Sequence, residues 1–251
     1  MKPAIFILTV ILLLLSPAVA HCDQVRVAAA SNFRATLEEI SAEFEKQSAH
    51  DVVLIFGATG KHYAQIVHGA PFDLFFAADA ERPERLDAEG LAIPGSRFTY
   101  AIGRLALWST DEQLVDKEGR AISRGQYRHM AIANPDLAPY GRAAKETLQS
   151  LGLWETISGQ LVTGENIGQT FQFVASGNAE LGLVAWSQLK GGGAGLGGSW
   201  WLVPETLHRP IEQQAVRLRP GAAAESFMSF MRSAKAVEII RAHGYGVADD
   251  L

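Results

Sequence analysis

The sequence has little cysteine and no clusters of basic residues. Cys22 is its single cysteine, so no disulfide can form within the chain and the fold must be held by the packing of its core. Asp and Glu together number 27 against 22 Lys and Arg, and the basic residues are scattered. A mildly acidic chain of this kind is not suited to binding nucleic acid or an anionic membrane surface.

Motifs of common metal and catalytic sites are also missing. None of the seven histidines is spaced from another His, Cys or carboxylate in the way that metal ligands are. No G-x-S-x-G nucleophile motif is present. A Ser/His/Asp site can be assembled in space from distant residues, so the spacing leaves an enzyme open as an alternative.

Gly193, Gly195 and Gly198 form a literal G-x-G-x-x-G within the glycine-rich residues 191–198. A dinucleotide site needs a helix directly after this motif. Here an aromatic segment with strand character follows, at residues 199–204. The pattern therefore indicates a surface loop.

One long apolar run is present, at the N-terminus. Residues 1–20 combine an early positive charge at Lys2, an apolar stretch over residues 4–15 and an A-x-A cleavage site. These features are typical of a secretory signal peptide, and the run is too short for a permanent membrane span. His21 before Cys22 makes a poor lipid-attachment site. The sequence predicts an exported protein of the periplasm.

Apolar strands and amphipathic helices alternate along the rest of the chain. The first half is predicted to contain strands at 24–30, 51–56 and 73–79 and helices at 33–47, 61–68 and 81–89. The second half is predicted to contain strands at 100–109, 129–134, 179–186 and 211–218 and helices at 141–152, 168–176 and 222–244, the last broken near residue 233. Such alternation is typical of parallel α/β sheets, and two lobes of about 100 residues each fit it best.

The stretch GATGKHY, residues 57–63, joins a strand to a helix and ends its turn in Gly-Lys, as a nucleotide-binding P-loop does. Ile55 stands where that motif needs its first glycine, and His62 stands where it needs Ser or Thr. A P-loop is therefore not indicated. The start of a helix can still bind an anion without any lysine, so Lys61 is predicted to lie on the helix surface, outside the contacts.

Four junctions between strands and helices share small or hydroxyl-bearing residues. They lie at residues 28–33, 56–61, 134–144 and 164–170. Each helix start offers free N–H groups and about half a positive charge. Four such starts, divided between two lobes, predict an anion site between the lobes. Ser31, Asn32, Thr59 and Tyr140 add hydroxyl or amide donors.

The succession AAASNF, FGATGKHYAQI, GAPFDLFFAAD, IANPDLAPYGRAAKETL and GENIGQTFQF resembles the periplasmic molybdate-binding proteins, which capture substrate for molybdate ABC transporters. The resemblance runs from about Val25 to Tyr245. It implies an α/β, type II periplasmic-binding-protein fold with two lobes, a hinge and a ligand cleft. It also implies that lobe I consists of residues 21–103 and 207–251 and that residues 104–206 form an inserted lobe II.

The resemblance further implies how the ligand is held. In this family a tetrahedral molybdate or tungstate dianion is bound by hydroxyl and backbone N–H groups, without Arg or Lys. Ser31 and Thr59 are implied to donate from lobe I, and Tyr140 and Ile167 to contribute N–H groups from lobe II, with the Tyr140 hydroxyl as a further donor. The complete predicted site consists of Ser31, Asn32, Ala58, Thr59, Tyr140, Asn166 and Ile167. These residues would contact the molybdate oxygens, and no cofactor is expected.

Two positions depart from the family pattern. The loop often reads Gly-Ser-Ser-Gly, whereas this chain has Gly-Ala-Thr-Gly, so Ala58 can contribute only its N–H. Some members also have a tyrosine ligand in the strand that corresponds to residues 183–186. This chain has Ala185 and Trp186 there, so the contact is absent or is replaced by Tyr140 or Asn32.

The sequence thus predicts a monomeric binding protein, not an enzyme, that carries molybdate and tungstate to the permease of an ABC transporter. Two alternatives remain open at this stage. One is a sulfate- or phosphate-type binding protein of the same fold. The other is a secreted α/β hydrolase or transferase that acts on phosphate-like substrates.

Overall fold

The computed structural model describes residues 23–191 and 196–248. The predicted signal peptide, Cys22 and residues 192–195 of the glycine-rich loop lie outside these ranges. Within them, every helix is too short or too polar to cross a membrane. The described chain folds into two mixed five-stranded sheets with helices packed against them.

Most strands and helices follow the predicted alternation, but the strand at Leu161–Gly164 and the short helix at Ala121–Arg124 were not predicted. In chain order the strands are β1 (Gln24–Ala30), β2 (Asp51–Gly57), β3 (Leu74–Phe76), β4 (Phe98–Gly103), β5 (Leu105–Ser109), β6 (Met130–Ala133), β7 (Leu161–Gly164), β8 (Leu181–Ala185), β9 (Ser199–Leu202) and β10 (Ile211–Arg217). The helices are α1 (Arg34–Glu45), α2 (Thr59–Val67), α3 (Glu81–Ala88), α4 (Ala121–Arg124), α5 (Pro139–Ser150), α6 (Ile167–Ala175), α7 (Trp186–Gly191), α8 (Ala222–Phe230) and α9 (Ala234–Ala242). Short 3-10 segments occur at Ser31–Phe33, Ser158–Gln160 and Glu205–Leu207.

The two sheets have the same plan. The first has the order β2-β1-β3-β10-β4, in which β1 is parallel to β2 and β3 and β10 is antiparallel to its neighbours. The second has the order β7-β6-β8-β5-β9, in which β6 is parallel to β7 and β8 and β5 is antiparallel to its neighbours. In open α/β sheets ligands bind beyond the carboxyl ends of the parallel strands. We call the first sheet with its helices lobe I and the second lobe II.

Both ends of the described chain contribute to lobe I. Its core joins Val27 of β1 and Leu37 of α1 to Phe227 of α8 and Ile240 of α9, all of them buried. Phe33, just before α1, packs against the Tyr100 ring with centroids 4.7 Å apart. The apolar stripe predicted for the first helix therefore faces this core, as its helical spacing indicates. The residue limits predicted for the two lobes stay predictions.

The prediction of one continuous strand over residues 100–109 was wrong. β4 ends at Gly103, β5 begins at Leu105, and the two strands belong to different sheets. Both strands are largely buried, so the apolar run shows no break where the chain crosses. Gly103 marks the crossing, because a Cβ atom there would lie 2.4 Å from the Tyr140 hydroxyl oxygen.

Two further outcomes concern helices, one a confirmed prediction and one a difference. The break predicted in the C-terminal helix is confirmed, since the Ser233 hydroxyl oxygen accepts a hydrogen bond from the Ala236 N–H at 3.3 Å and caps α9. Helix α7 was not predicted, because Trp186 was assigned to the end of the preceding strand. The Gln188 side chain accepts from the Ala185 N–H at 3.0 Å, which stabilises the turn where β8 ends and α7 begins.

Candidate oxyanion-binding site

The seven predicted site residues line one cavity between the lobes. Its empty volume is about 180 Å³, open solvent included. Sites for drug-sized ligands are much larger cavities, so this one suits an ion or a molecule of only a few atoms. No Asp, Glu, Lys, Arg or His of the described residues lines it. Its predicted members are Ser31, Asn32, Ala58, Thr59, Tyr140, Asn166 and Ile167.

Two of the helices that begin at the cavity have uncapped N-termini. Helix α2 starts at Thr59 after the extended residue Ala58, and α5 starts with Pro139 and Tyr140 after the extended residue Ala138. Neither start carries a side-chain cap. Among the described residues the N–H groups of Thr59 and Tyr140 have no acceptor. Unpaired N–H groups and the positive end of the helix dipole both favour an anion here.

Helix α6 reaches the same cavity with a capped start. The Asn166 side-chain oxygen accepts from the Gln169 N–H at 3.1 Å. The Gly168 N–H donates to the Ser31 hydroxyl oxygen of lobe I at 3.0 Å. At this start the Ile167 N–H is left without an acceptor among the described residues, so α6 offers one main-chain donor.

The Thr59 hydroxyl is the best-placed side-chain donor. Thr59 is 1% exposed, and its hydroxyl oxygen accepts from the Ala78 N–H at 3.1 Å. The hydroxyl proton has no acceptor among the described residues. A buried O–H without an acceptor is costly, and an anion in the cavity would supply the acceptor.

The Ser31 hydroxyl bridges the two lobes. It donates to the Asn166 side-chain oxygen at 2.9 Å while its oxygen accepts from the Gly168 N–H. Its single proton cannot serve Asn166 and an anion at full strength together. Donation from Ser31 to a ligand therefore requires that the bond to Asn166 be given up.

The side chain of Asn32 is held within lobe I. Its amide nitrogen donates to the Gln213 side-chain oxygen at 2.8 Å and to the Tyr245 hydroxyl at 3.0 Å. Its amide oxygen is buried and has no partner in the described part of the chain. The structure thus places Asn32 at the cavity with its side-chain donors already used, and its role as a ligand donor stays a prediction.

Tyr140 connects the cavity to the crossing between the sheets. Its hydroxyl oxygen lies 3.4 Å from the Gln213 side-chain nitrogen, beside Gly103. Burial raises the pKa of the Tyr140 hydroxyl well above its ordinary value, and the nearby Tyr245 and Tyr100 raise it further. The hydroxyl therefore stays protonated. The Tyr140 N–H lies at the start of α5, and the Tyr140 hydroxyl lies where the chain crosses between the sheets, which we call the hinge.

The lobes touch each other across the cleft. The Gly60 N–H of α2 donates to the Leu137 carbonyl oxygen of lobe II at 2.8 Å. A Cβ atom on Gly60 would lie 3.0 Å from that oxygen, so glycine permits the close approach. Lys61 forms an ion pair with Glu165 at 2.8 Å. Lys61 was predicted to lie on the helix surface; it is exposed there, and the structure adds this contact across the cleft.

Gln213 of β10 was missed by the sequence prediction. It is fully buried, and its side chain contacts Asn32, Tyr100 and Tyr140. The available signal was a pair of glutamines in the middle of a predicted strand, because buried polar side chains are uncommon. Among residues 23–191 and 196–248, no group of three or more His, Cys, Asp or Glu could hold a metal ion.

The two-lobed α/β fold with a cleft between the lobes is that of a class of solute-binding proteins. The chain belongs to the family of bacterial extracellular solute-binding proteins, whose model matches residues 25–246. The molybdate-binding protein ModA of Azotobacter vinelandii is 47% identical over 231 residues, which cover 91% of this chain and 92% of that protein. ModA of Rhodobacter capsulatus is 47% identical over 229 residues, which cover 90% and 89%.

The same relationship holds for the structure. The chain superposes on the Azotobacter vinelandii periplasmic molybdate-binding protein with a TM-score of 0.87 and 45% identity, over 90% of this chain and 100% of that one. The predicted resemblance to periplasmic molybdate-binding proteins and the predicted two-lobed fold with cleft and hinge are confirmed.

Proposed function

We propose that this protein captures molybdate in the cavity between its lobes and delivers it to the membrane permease of an ABC transporter. One observation carries the proposal. An uncharged cavity receives two uncapped helix starts and a buried threonine hydroxyl whose proton has no acceptor among the described residues. The similarity to two molybdate-binding proteins, at 47% identity over about nine tenths of this chain, supports the choice of anion.

The donors suffice without a cation. A hydrogen bond to a charged group contributes roughly 1.5–3 kcal/mol. The Thr59 hydroxyl and the N–H groups of Thr59, Tyr140 and Ile167 provide several such bonds, and the Ser31 hydroxyl adds one when its bond to Asn166 is given up. Even after the cost of removing the anion from water, this set is compatible with a binding free energy of about −8 kcal/mol, which corresponds to micromolar affinity.

Neutral donors also select among oxyanions. Phosphate carries a proton at neutral pH, and that proton needs an acceptor which a shell of donors does not provide. Sulfate has the same charge and shape as molybdate but shorter bonds, so donors set for molybdate stand too far from its oxygens. Tungstate matches molybdate in charge and nearly in size, and we propose that it binds as well.

Donors from both lobes explain how binding leads to closure. An anion held by Thr59 of lobe I and by the helix starts at Tyr140 and Ile167 of lobe II is fully bonded only when the lobes approach. Ligand therefore shifts the population towards the closed form, which the transporter would recognise. We further propose that the protein works as a monomer in the periplasm after removal of residues 1–20, and that it has no catalytic role.

Isothermal titration of the protein lacking residues 1–20 with four anions tests the proposal. We expect heat of binding and a 1:1 stoichiometry with molybdate and tungstate, and much weaker binding of sulfate and phosphate. No binding of molybdate or tungstate at micromolar protein would rule the proposal out. Preferred binding of sulfate or phosphate would favour the alternative binding protein. Hydrolysis of a phosphate ester that is lost with Thr59→Val would favour the alternative enzyme.

Lys61→Gln is expected to change molybdate affinity by less than about 1 kcal/mol, because exposed ion pairs contribute little. Lys61 and Glu165 are 53% and 46% exposed. Titration of the variant at low and high salt measures the effect. A loss of affinity greater than about tenfold would show that the lysine acts on the anion directly.

A further inference from the structure

A buried ion pair lies just behind the wall of the cavity. Asp79 follows Ala78, which lines the cavity, and it pairs with the guanidinium of Arg82 in α3. The side chains of Asp79 and Arg82 are only 3% and 15% exposed. The backbone N–H of Arg82 also donates to the other carboxylate oxygen of Asp79 at 3.2 Å, so Arg82 binds both oxygens of this carboxylate. Burial raises the pKa of the Asp79 carboxyl, and Arg82 opposes that rise.

The same guanidinium crosses the cleft. A second nitrogen of Arg82 donates to the Asp136 carbonyl oxygen of lobe II at 3.0 Å. This nitrogen would lie 3.1 Å from a Cβ atom on Gly60, and Gly60 follows Thr59 directly. Arg82 therefore lies beside the first turn of α2, which carries the best-placed hydroxyl donor, and it bonds to the opposite lobe at the same place.

Other cations of the described residues also pair across the cleft, and two of them, Lys61 and Arg142, are more exposed than Arg82. Lys61 is 53% exposed and Arg142, which pairs with Glu81 at 2.9 Å, is 34% exposed. Exposed pairs are screened by water and salt and contribute little, whereas the bond from the mostly buried Arg82 guanidinium to the Asp136 carbonyl is charge-assisted and less screened. Of these three contacts, the one made by Arg82 should resist opening most.

We infer that Arg82 is a positioning residue that holds the lobes closed over the bound anion. Asp79 pairs with the Arg82 guanidinium and so keeps this positive charge out of the cavity. The inference rests on the proposed function, since the anion is the ligand whose release it slows. Asp79 binds one edge of the guanidinium and directs the other towards the Asp136 carbonyl. The cavity stays lined by neutral donors although an arginine lies directly behind it.

The test is a pair of fluorophores that reports opening of the cleft. Labels are attached through Ala64→Cys and Gln149→Cys on the exposed surfaces of the two lobes, with Cys22→Ser to remove the native thiol. Energy transfer is recorded in the free protein, with saturating molybdate, and after rapid dilution of the loaded protein. The variants are Arg82→Gln, Lys61→Gln and Arg142→Gln.

We expect Arg82→Gln to speed molybdate release by about tenfold or more, with little change in the association rate, because the bond it removes exists only when the lobes are closed. The two matched controls, Lys61→Gln and Arg142→Gln, should change release by less than about threefold. A release rate for Arg82→Gln that equals those of the controls would overturn the inference.

The double substitution Asp79→Asn with Arg82→Gln tests whether faster release is caused only by the unpaired carboxylate that Arg82→Gln leaves behind. It removes the cross-cleft cation without leaving a buried carboxylate unpaired, and it should release molybdate as fast as Arg82→Gln alone. A release rate like that of the unsubstituted protein would overturn the inference.

The free protein separates this inference from the proposed function. If the unsubstituted protein does not bind molybdate, the proposed function fails. Arg82→Gln should then still lower the closed fraction of the free protein, and an unchanged fraction would overturn the inference by itself.

Discussion

Replacing Thr59 with valine is expected to weaken molybdate binding by about 10- to 100-fold, which corresponds to the roughly 1.5–3 kcal/mol of a hydrogen bond to a charged group. Valine has nearly the shape of threonine, so the packing of this buried position is kept. The variant loses the hydroxyl proton that has no acceptor among the described residues. It also leaves the Ala78 N–H unpaired, so the melting temperature should fall as well.

Two controls separate the binding effect from the loss of stability. Thr59→Ser keeps the hydroxyl and should bind molybdate within a few-fold of the unsubstituted protein. Thr147→Val removes another fully buried threonine hydroxyl, which donates to the Ala143 carbonyl within α5 at 2.8 Å. It should affect stability and leave affinity intact. Titration with molybdate and thermal denaturation of the three variants measure the two effects. Equal affinities for Thr59→Val and Thr59→Ser would show that the Thr59 hydroxyl does not bind molybdate.

Replacing Gly141 with alanine is expected to damage both the fold and the site. A Cβ atom at this position would lie 2.3 Å from the Ala133 carbonyl oxygen and 2.7 Å from the Asn134 carbonyl carbon. These are backbone atoms at the end of β6, so α5 itself must move. Overpacking of this kind costs about 1–3 kcal/mol or more, a fall in melting temperature of about 2–12 °C.

The movement of α5 would also displace the Tyr140 N–H, so molybdate affinity should fall with stability. Gly159→Ala is the matched control, because a Cβ atom there meets nothing within 4 Å. Scanning calorimetry and titration of both variants test the prediction. It would be contradicted if Gly141→Ala melted and bound molybdate as Gly159→Ala does.

The positions of the candidate residues could be predicted because they depend on local rules. Small and hydroxyl residues between a buried strand and an amphipathic helix mark a helix start, and parallel strands bring such starts to one edge of a sheet. The structure brings Ser31, Thr59, Tyr140 and Ile167 to one cavity in this way. The same reasoning predicted that Lys61 lies outside the contacts, since helix starts bind anions without it, and Lys61 is not among the residues that line the cavity.

Contacts between distant parts of the chain could not be predicted. The chain passes from one sheet to the other at Arg104, inside an apolar run that looks like one strand. The need for glycine at position 103 becomes clear only from its closeness to Tyr140. The bonds from Asn32 to Gln213 and from Arg82 to Asp136 join residues far apart in sequence. Periodicity carries no information about such partners, which depend on how the two lobes meet.

Tyr140 has one end at the cavity between the lobes and the other at the strand crossing, where its hydroxyl lies against Gly103. A rotation of the lobes about that crossing would therefore shift a donor of the site. The affinity for the anion and the angle between the lobes should therefore change together. Substitutions at the hinge should change the binding constant without touching the anion, and anions of different size should set measurably different degrees of closure.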